Sequence, residues 1–269
     1  MDDQQFRQLL DHYGYSWEGY RRVRKGVKKR ISRHMQQLKC RNIDEYLRVL
    51  DREEEQRNQF VCEMSVSVSR FFRDRILWKI IEDQIVQEIS KENIKNIRFW
   101  SAGCACGEEV YSFKIVWESL CARFDHMPEL EIVATDINPD YIRRAQEGVY
   151  PVSSLKEVPR ESRETYFQPI EKDCFYRIIP SLKKGILWKV HNLLCEHDEC
   201  GFQIIFLRNS ILTYYNEYIK QPAFQKVMNS LDPGGFLIIG SHEELPIDSK
   251  DLFCVGSQPY IFKKIEKER

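Results

Sequence analysis

Two carboxylates stand at the mouth of a helix in the run FWSAGCACGEEVY at 99–111, where Glu108 and Glu109 follow Gly107. Ile97, Phe99 and Trp100 are apolar, and 97–100 reads as the end of a strand. Ser101, Ala102, Gly103, Ala105 and Gly107 read as a turn, and 108–124 as a helix. In open α/β sheets ligands bind in the crevice outside the carboxyl ends of the strands. Glycine lets backbone approach a ligand with no Cβ in the way, but the spacing here is GxxxG, not the GxGxxG of dinucleotide sites. An acidic helix mouth repels a pyrophosphate and attracts an ammonium group.

Further groups fall at the ends of other expected strands. LEIVATD ends in Asp136, with Asn138 and Pro139 opening a helix. A carboxylate there is placed to accept both hydroxyls of a ribose, and its structural alternative is a helix N-cap. His191, Asn192, Leu193 and Leu194 follow one strand, and Arg208, Asn209 and Ser210 follow another. A single loop asparagine is most often a turn residue. Two of them, each after a strand, suggest the rim of an adenine–ribose pocket.

From residue 97 onward strands alternate with helices, which argues for a doubly wound, mainly parallel sheet. The pattern predicts strands at 97–101, 131–135, 186–191, 203–207 and 235–240, a closing hairpin near 252–263, and helices near 108–124, 139–147 and 216–231. The proline-bearing stretch 148–185 fits this alternation poorly and predicts a small insertion near 150–185. LDPGG at 231–235 carries a tight-turn signal. Ahead of the sheet, helical periodicity runs through Phe6, Leu9, Leu10 and Tyr13 and again from Val23 to Leu38. Asn42 and Glu45 resemble a capping box, and 76–90 reads as a long helix. This predicts a helical N-terminal domain over 1–72 and an α/β domain over 73–269.

The chain has 269 residues, with Lys+Arg and Asp+Glu balanced at 41 each. No global field draws it to nucleic acid, and no apolar run approaches the roughly 18 residues of a membrane span. Nine cysteines at irregular spacing suit reduced thiols and a cytoplasmic setting. Charge is uneven locally: between Glu18 and Asp44 there is no acidic residue, while Arg21, Arg22, Arg24, Lys25, Lys28, Lys29, Arg30 and Arg33 crowd the helix expected over 21–38. Such a face is either solvated or a docking surface for an acidic partner.

Taken together, SVSRFFRD (67–74), WSAGCACGEEVYS (100–112), ATDIN (134–138), PRESRETYF (159–167), HNLL (191–194), LRNSILTYY (207–215) and LDPGGFLIIGSHE (231–243) resemble the CheR-type chemotaxis receptor methyltransferases, in that family's order and over nearly the whole chain. The resemblance implies a Rossmann-like class I methyltransferase domain behind a small helical domain. It also implies S-adenosylmethionine as cofactor, S-adenosylhomocysteine as product, and protein glutamate carboxylates as acceptors, as on a chemoreceptor cytoplasmic domain. Carried over by residue, it puts Ser67, Ser69 and Arg73 beside the cofactor, with Arg73 on its carboxylate, as a guanidinium does well. Gly103 belongs to the cofactor turn, and Glu108 meets the ammonium, with Glu109 as the other choice. Asp136 takes the ribose, Asn192 and Leu193 the adenine, and Arg208 and Asn209 the edge near the sulfonium. Tyr214 stands close to the transferred methyl. Tyr214 and Arg73 are the residues implied at the chemistry, and no metal is implied.

The chain departs from the family pattern in places. Ser67 and Ser69 replace asparagine and threonine, which keeps a hydroxyl at each. Ala105 and Cys106 replace serine and threonine, and loss of a donor at Cys106 implies weaker cofactor binding. The 76–90 helix has no arginine where the family has a basic residue, which leaves Lys91 and Lys95 as substitutes. The 168–185 segment is shorter than a receptor-tethering subdomain. The alternative function is a CheR-like sensor or scaffold that binds cofactor with little catalysis. A metal site on His191, Cys195, His197 and Cys200 matches no tight zinc spacing, and a nicotinamide dehydrogenase would need the missing third glycine.

Overall fold

The structure, a computed structural model, describes residues 1–85, 88, 95–170, 174–195, 199–246, 249, 251–256 and 258–265. The later part of the helix expected over 76–90, Lys91 and His197 lie outside the described residues.

Five helices come first: Asp3–Tyr13, Trp17–Tyr20, Arg24–Gln37, Ile43–Arg52 and Glu54–Met64. Asp2 opens the first with a reciprocal capping box to Gln5. Asn42 caps the fourth by accepting from Glu45 N at 2.9 Å, while the Glu45 carboxylate reaches back to Arg41 N rather than to the cap itself. The apolar faces that the periodicity marks meet in one core of Phe6, Leu9, Leu10, Tyr20, Val27, Ile31, Tyr46, Leu50, Phe60 and Met64. Burying each large apolar side chain contributes about 1.5–3 kcal/mol.

A second, larger core begins at Phe71 and belongs to the sheet. Its strands are β1 (Asn96–Ala102), β2 (Glu129–Asp136), β6 (Ile186–Val190), β7 (Phe202–Leu207), β8 (Leu231–Ile239), β9 (Leu252–Cys254) and β10 (Ile261–Lys264), in the order β6-β2-β1-β7-β8-β10-β9. β6, β2, β1, β7 and β8 run parallel, and β10 is antiparallel to both β8 and β9. This is the doubly wound architecture with its closing hairpin. Reversal of the crossover between β1 and β7 creates the switch point at which such sheets take ligands. The central strands are buried on both faces: Phe99 stacks on Phe113 at 4.0 Å, and the Trp100 indole donates to Thr135 Oγ1 at 3.0 Å.

The expected insertion is a separate antiparallel sheet of β3 (Val149–Pro151), β5 (Phe175–Ile178) and β4 (Phe167–Ile170), in that order. The LDPGG turn lies within β8, where the register against β7 slips between Phe202 and Ile204. The helix expected from 76 is α-helical over Arg75–Ile80 and then widens into a π-turn over Ile81–Ile85.

Candidate active site

β1 ends in a turn that only particular residues can make. Gly103 has φ +92, and a Cβ there would sit 2.9 Å from Ser210 Cβ. Gly107 has φ +86, and its Cβ would meet the Trp188 ring at 2.8 Å and Ala145 at 2.9 Å. Both demands suit glycine alone. Ala105 also holds a positive φ of 49, a strained conformation for a residue with a side chain. Asp136 secures that turn: one oxygen accepts Ala105 N and the other Asn138 N, each at 2.9 Å. It is not the helix cap, because Asn138 fills that place by accepting from Asp140 N at 3.0 Å. Burial pushes the Asp136 carboxyl up to about 6, against the pull of those backbone amides.

The turn sits between two adjoining hollows that share Val66, Gly103 and Asn209 and so form one cleft along the sheet edge. The first is charged and is lined by Ser69, Arg73, Glu109 and Arg208 as well as the shared residues. Arg208 is almost wholly buried, forms an ion pair with Glu109 at 3.3 Å and is bonded to the Asp74 carboxylate. Ser101 Oγ donates to the other Glu109 oxygen at 2.6 Å. Burial pushes the Glu109 carboxyl up, opposed chiefly by Arg208. Arg208 Nε has no partner among the described residues. Arg73 donates to Val68 O at 3.0 Å, and its backbone carbonyl accepts the Trp78 indole at 2.8 Å.

The second hollow is aromatic. Asp136, Asn192 and Leu193 line it together with Tyr15, Tyr20, Tyr141, Tyr214 and Tyr215. Two of these tyrosines come from the helical domain: Tyr15 stacks on Tyr215 at 4.7 Å, and Tyr20 lies 4.9 Å from Tyr214. Backbone bonds from Ser16 N to Tyr214 O (2.8 Å) and Asn216 N to Gly14 O (2.9 Å) join the helical N-terminal region to the segment after β7 there. Gly19 allows the approach, since a Cβ would lie 2.0 Å from Thr213 O. Burial pushes the Tyr214 hydroxyl up to about 12, with Glu243 adding to the rise and Arg73 opposing it.

Residues 67–261 match the family model for "CheR methyltransferase, SAM binding domain". The chain belongs to the CheR methyltransferase family. A chemotaxis protein methyltransferase of Listeria innocua is 33% identical over 219 residues, 81% of each chain. One of Listeria monocytogenes is 32% identical over the same share, and one of Vibrio parahaemolyticus is 28% identical over 89% of this chain and 88% of its own.

As a CheR-family protein, the chain is an S-adenosylmethionine-dependent methyltransferase, and the cleft suits that cofactor. Its charged end is lined by three guanidinium groups, of which that of Arg70 is paired with Glu157 at 3.7 Å, and by the Glu109 carboxylate, groups suited to an amino-acid zwitterion; among them Arg208 Nε is buried with no partner among the described residues. The bare backbone at Gly103 leaves a passage that any Cβ would narrow.

Of the residues expected at the site, Ser69, Arg73, Gly103, Asp136, Asn192, Leu193, Arg208, Asn209 and Tyr214 line the cleft, whereas Ser67 and Glu108 line neither hollow. Glu108 is buried behind the wall, where burial pushes its carboxyl up against a hydrogen bond to the cleft-lining Ser69, and Oε2 lacks a partner among the described residues. Glu109 is the acid on the cleft wall. Cys106 is buried in the sheet core and lines neither hollow, so its thiol removes no donor from the cleft. Lys95 is exposed just ahead of β1, a strand length of about 20 Å from the turn, and cannot serve the chemistry. Among the described residues no group of three His, Cys, Asp or Glu is placed to hold a metal.

Sequence reasoning did not assign roles to Asp74, Glu243, Tyr15 and Tyr20. Glu243 accepts Asn209 N at 2.9 Å and Gly240 N at 2.7 Å on one oxygen, and bonds the Thr213 hydroxyl through the other. It thereby pins the loop that carries Asn209 and Tyr214. Its place in the LDPGGFLIIGSHE motif was the available signal.

Proposed function

We propose that the enzyme methylates glutamate carboxylates on an acidic helical protein segment, such as a chemoreceptor cytoplasmic domain. In this reading Arg73 and Glu109 hold the two charges of the cofactor's amino-acid end, Asp136 its ribose, and Asn192 and Leu193 its adenine. S-adenosylmethionine, when bound, supplies an electrophilic methyl group. A glutamate side chain has a reference pKa of about 4.3 and is ionised at neutral pH, so no residue has to remove a proton. The protein's work is to position the acceptor and exclude water. The tyrosine wall suits both tasks, because burial pushes the hydroxyls of Tyr15, Tyr20, Tyr214 and Tyr215 up and keeps them neutral, and its rings present apolar faces.

The observation that carries the acceptor class is the charge on helix Arg24–Gln37. Asp3 neutralises Arg24 and Lys28, at 3.5 and 2.8 Å. Lys25, Lys29 and Arg33 are exposed and have no acidic partner among the described residues. At i, i+4 and i+8 they form one stripe along the helix, complementary to carboxylates at the same spacing on an acceptor helix. No helix among the described residues is long and apolar enough to cross a membrane.

The test is transfer of tritiated methyl groups to purified chemoreceptor cytoplasmic fragments. Label released by mild base is the expected ester. Base-stable label, or transfer confined to small acids, would overturn the assignment. Reversing Lys25, Lys29 and Arg33 to glutamate should raise the KM for the protein acceptor and flatten its salt dependence.

A further inference from the structure

Arg30 sits on the basic helix yet differs from the stripe beside it. Its guanidinium turns inward: Nε donates to Glu63 O at 2.9 Å and Nη2 to Ser65 O at 2.6 Å. Those carbonyls belong to the end of helix Glu54–Met64 and the first residue beyond it. The last carbonyls of any helix lack intrahelical donors and need partners from elsewhere. Here each is supplied. Val61 O and Cys62 O accept Ser65 N, each at 3.2 Å; Cys62 O also accepts Ser65 Oγ at 2.6 Å and Asn138 Nδ2 at 3.3 Å. Met64 O accepts the Tyr20 hydroxyl at 3.1 Å, and Glu63 O takes Arg30. A cation at a helix C-terminus is favoured by the helix dipole as well.

The chain that leaves this helix is the strap that covers the cleft. Met64, Ser65 and Val66 line the aromatic hollow, and Val66, Val68 and Ser69 the charged one. From the sheet side the strap is held by Asn138 Nδ2 on Ser65 Oγ at 2.9 Å and by the Tyr141 hydroxyl on Ser65 O at 3.4 Å. From the helical domain, Arg30 and Tyr20 hold its root.

We propose that Arg30 is a positioning residue for cofactor binding: it fastens the root of the strap over the cleft, so the helical domain sets cofactor affinity as well as presenting charge to an acceptor. The proposal rests on the cleft being the cofactor site, but one arm of its test does not. That arm measures amide hydrogen exchange of the ligand-free protein, in which Arg30→Ala should speed exchange across 65–69 relative to wild type.

The second arm is calorimetric titration with S-adenosylhomocysteine. Arg30→Ala should weaken affinity about tenfold, the scale of a lost charge-assisted hydrogen bond. Arg30→Lys, which keeps the charge but not the two-pronged geometry, should fall between. Lys29→Ala and Arg33→Ala should stay within twofold of wild type. Unchanged exchange over 65–69 together with unchanged affinity in both Arg30 variants would overturn the proposal, as would loss of acceptor affinity alone. Should Arg30→Ala not fold, Arg30→Lys decides by the same two readouts. Absence of binding in wild-type protein would instead count against the cleft as cofactor site and leave the exchange arm standing.

Discussion

At the glycine turn, Gly103, Ala105, Gly107 and Glu109 lie within seven positions of one another, and short-range geometry does nearly everything: two positive-φ glycines, one strained alanine and a carboxylate in the first turn of the following helix. At the tyrosine wall, Tyr15 meets Tyr215 across 200 positions of chain. One end of the cleft is built by the local backbone and the other by docking of the helical N-terminal region against the segment after β7. The turn therefore fails when a single atom is added, whereas the wall fails when the docking loosens.

The largest effect should come from the charged hollow. Arg208→Ala leaves Glu109 enclosed without its cation and Asp74 without its partner. Removing one member of a buried pair costs about 3–5 kcal/mol, and the exposure of Asp74 places the loss toward the lower end. Urea denaturation should show that drop, and S-adenosylhomocysteine binding should vanish. A variant as stable as wild type would mean that the ion pairs are not closed in solution. Gly103→Ala tests the turn itself. A side chain at φ +92 meeting Ser210 at 2.9 Å should cost about 1–3 kcal/mol, with cofactor affinity falling in parallel. Gly185→Ala is the comparison: it also has positive φ, yet its Cβ would meet nothing within 4 Å, so it should lose stability without losing affinity.

The same contrast decides what could be read from the sequence. The strand–turn–helix at 97–124, Asp136 at the end of β2 and the Arg208–Asn209 pair after β7 were legible because each is a local pattern at a strand end, and strand ends converge in a parallel sheet. Which of two adjacent glutamates faces the cleft was not. Neighbours on a helix point about 100° apart, and nothing in the local pattern distinguishes Glu108 from Glu109 as the one that faces the ligand. The tyrosine wall was illegible for a different reason. Tyr15 and Tyr20 look like ordinary core residues of an amphipathic helical domain, and nothing local says that their rings meet Tyr214 and Tyr215. The three short strands between 149 and 178 are illegible as strands because prolines at 151 and 169 obscure their alternation.

The two glutamates can be separated by experiment. Glu109→Gln removes the carboxylate on the cleft wall and should weaken S-adenosylhomocysteine about tenfold, near the value of a hydrogen bond to a charged group. Glu108→Gln should leave affinity within twofold and raise stability in denaturant, because it removes a buried carboxylate whose ionisation burial already opposes. The reverse order would return Glu108 to the cofactor.

Asp136 gives a smaller effect with a definite sign. Its folded-state value of about 6 lies above the ordinary 3.8. The native state therefore holds that proton more tightly than the unfolded chain, and stability from this group falls as pH rises from 3.8 to about 6, then levels. A carboxylate that accepts ribose hydroxyls works best ionised. Cofactor affinity should accordingly be flat above about pH 7 and weaken as pH falls through 6. Asp136→Asn should bind more weakly at neutral pH and lose the step, and a step that persists in that variant would assign it to another group.

The smallest change is Tyr214→Phe, and it asks what the wall contributes to chemistry. With its hydroxyl pushed up to about 12, Tyr214 is neutral throughout the working range and cannot act as a base there. An ionised glutamate does not need one. Deleting the hydroxyl keeps the ring against Tyr20, so kcat should fall less than tenfold and by the same factor at every pH from 6.5 to 9, with S-adenosylhomocysteine affinity within twofold of wild type. Tyr214→Ala removes the ring and should fall much further, since it also withdraws the packing that excludes water from the acceptor's approach. A loss in Tyr214→Phe that grows or shrinks with pH would mean that the hydroxyl moves a proton after all, and the wall would then be chemical machinery rather than a positioned apolar surface.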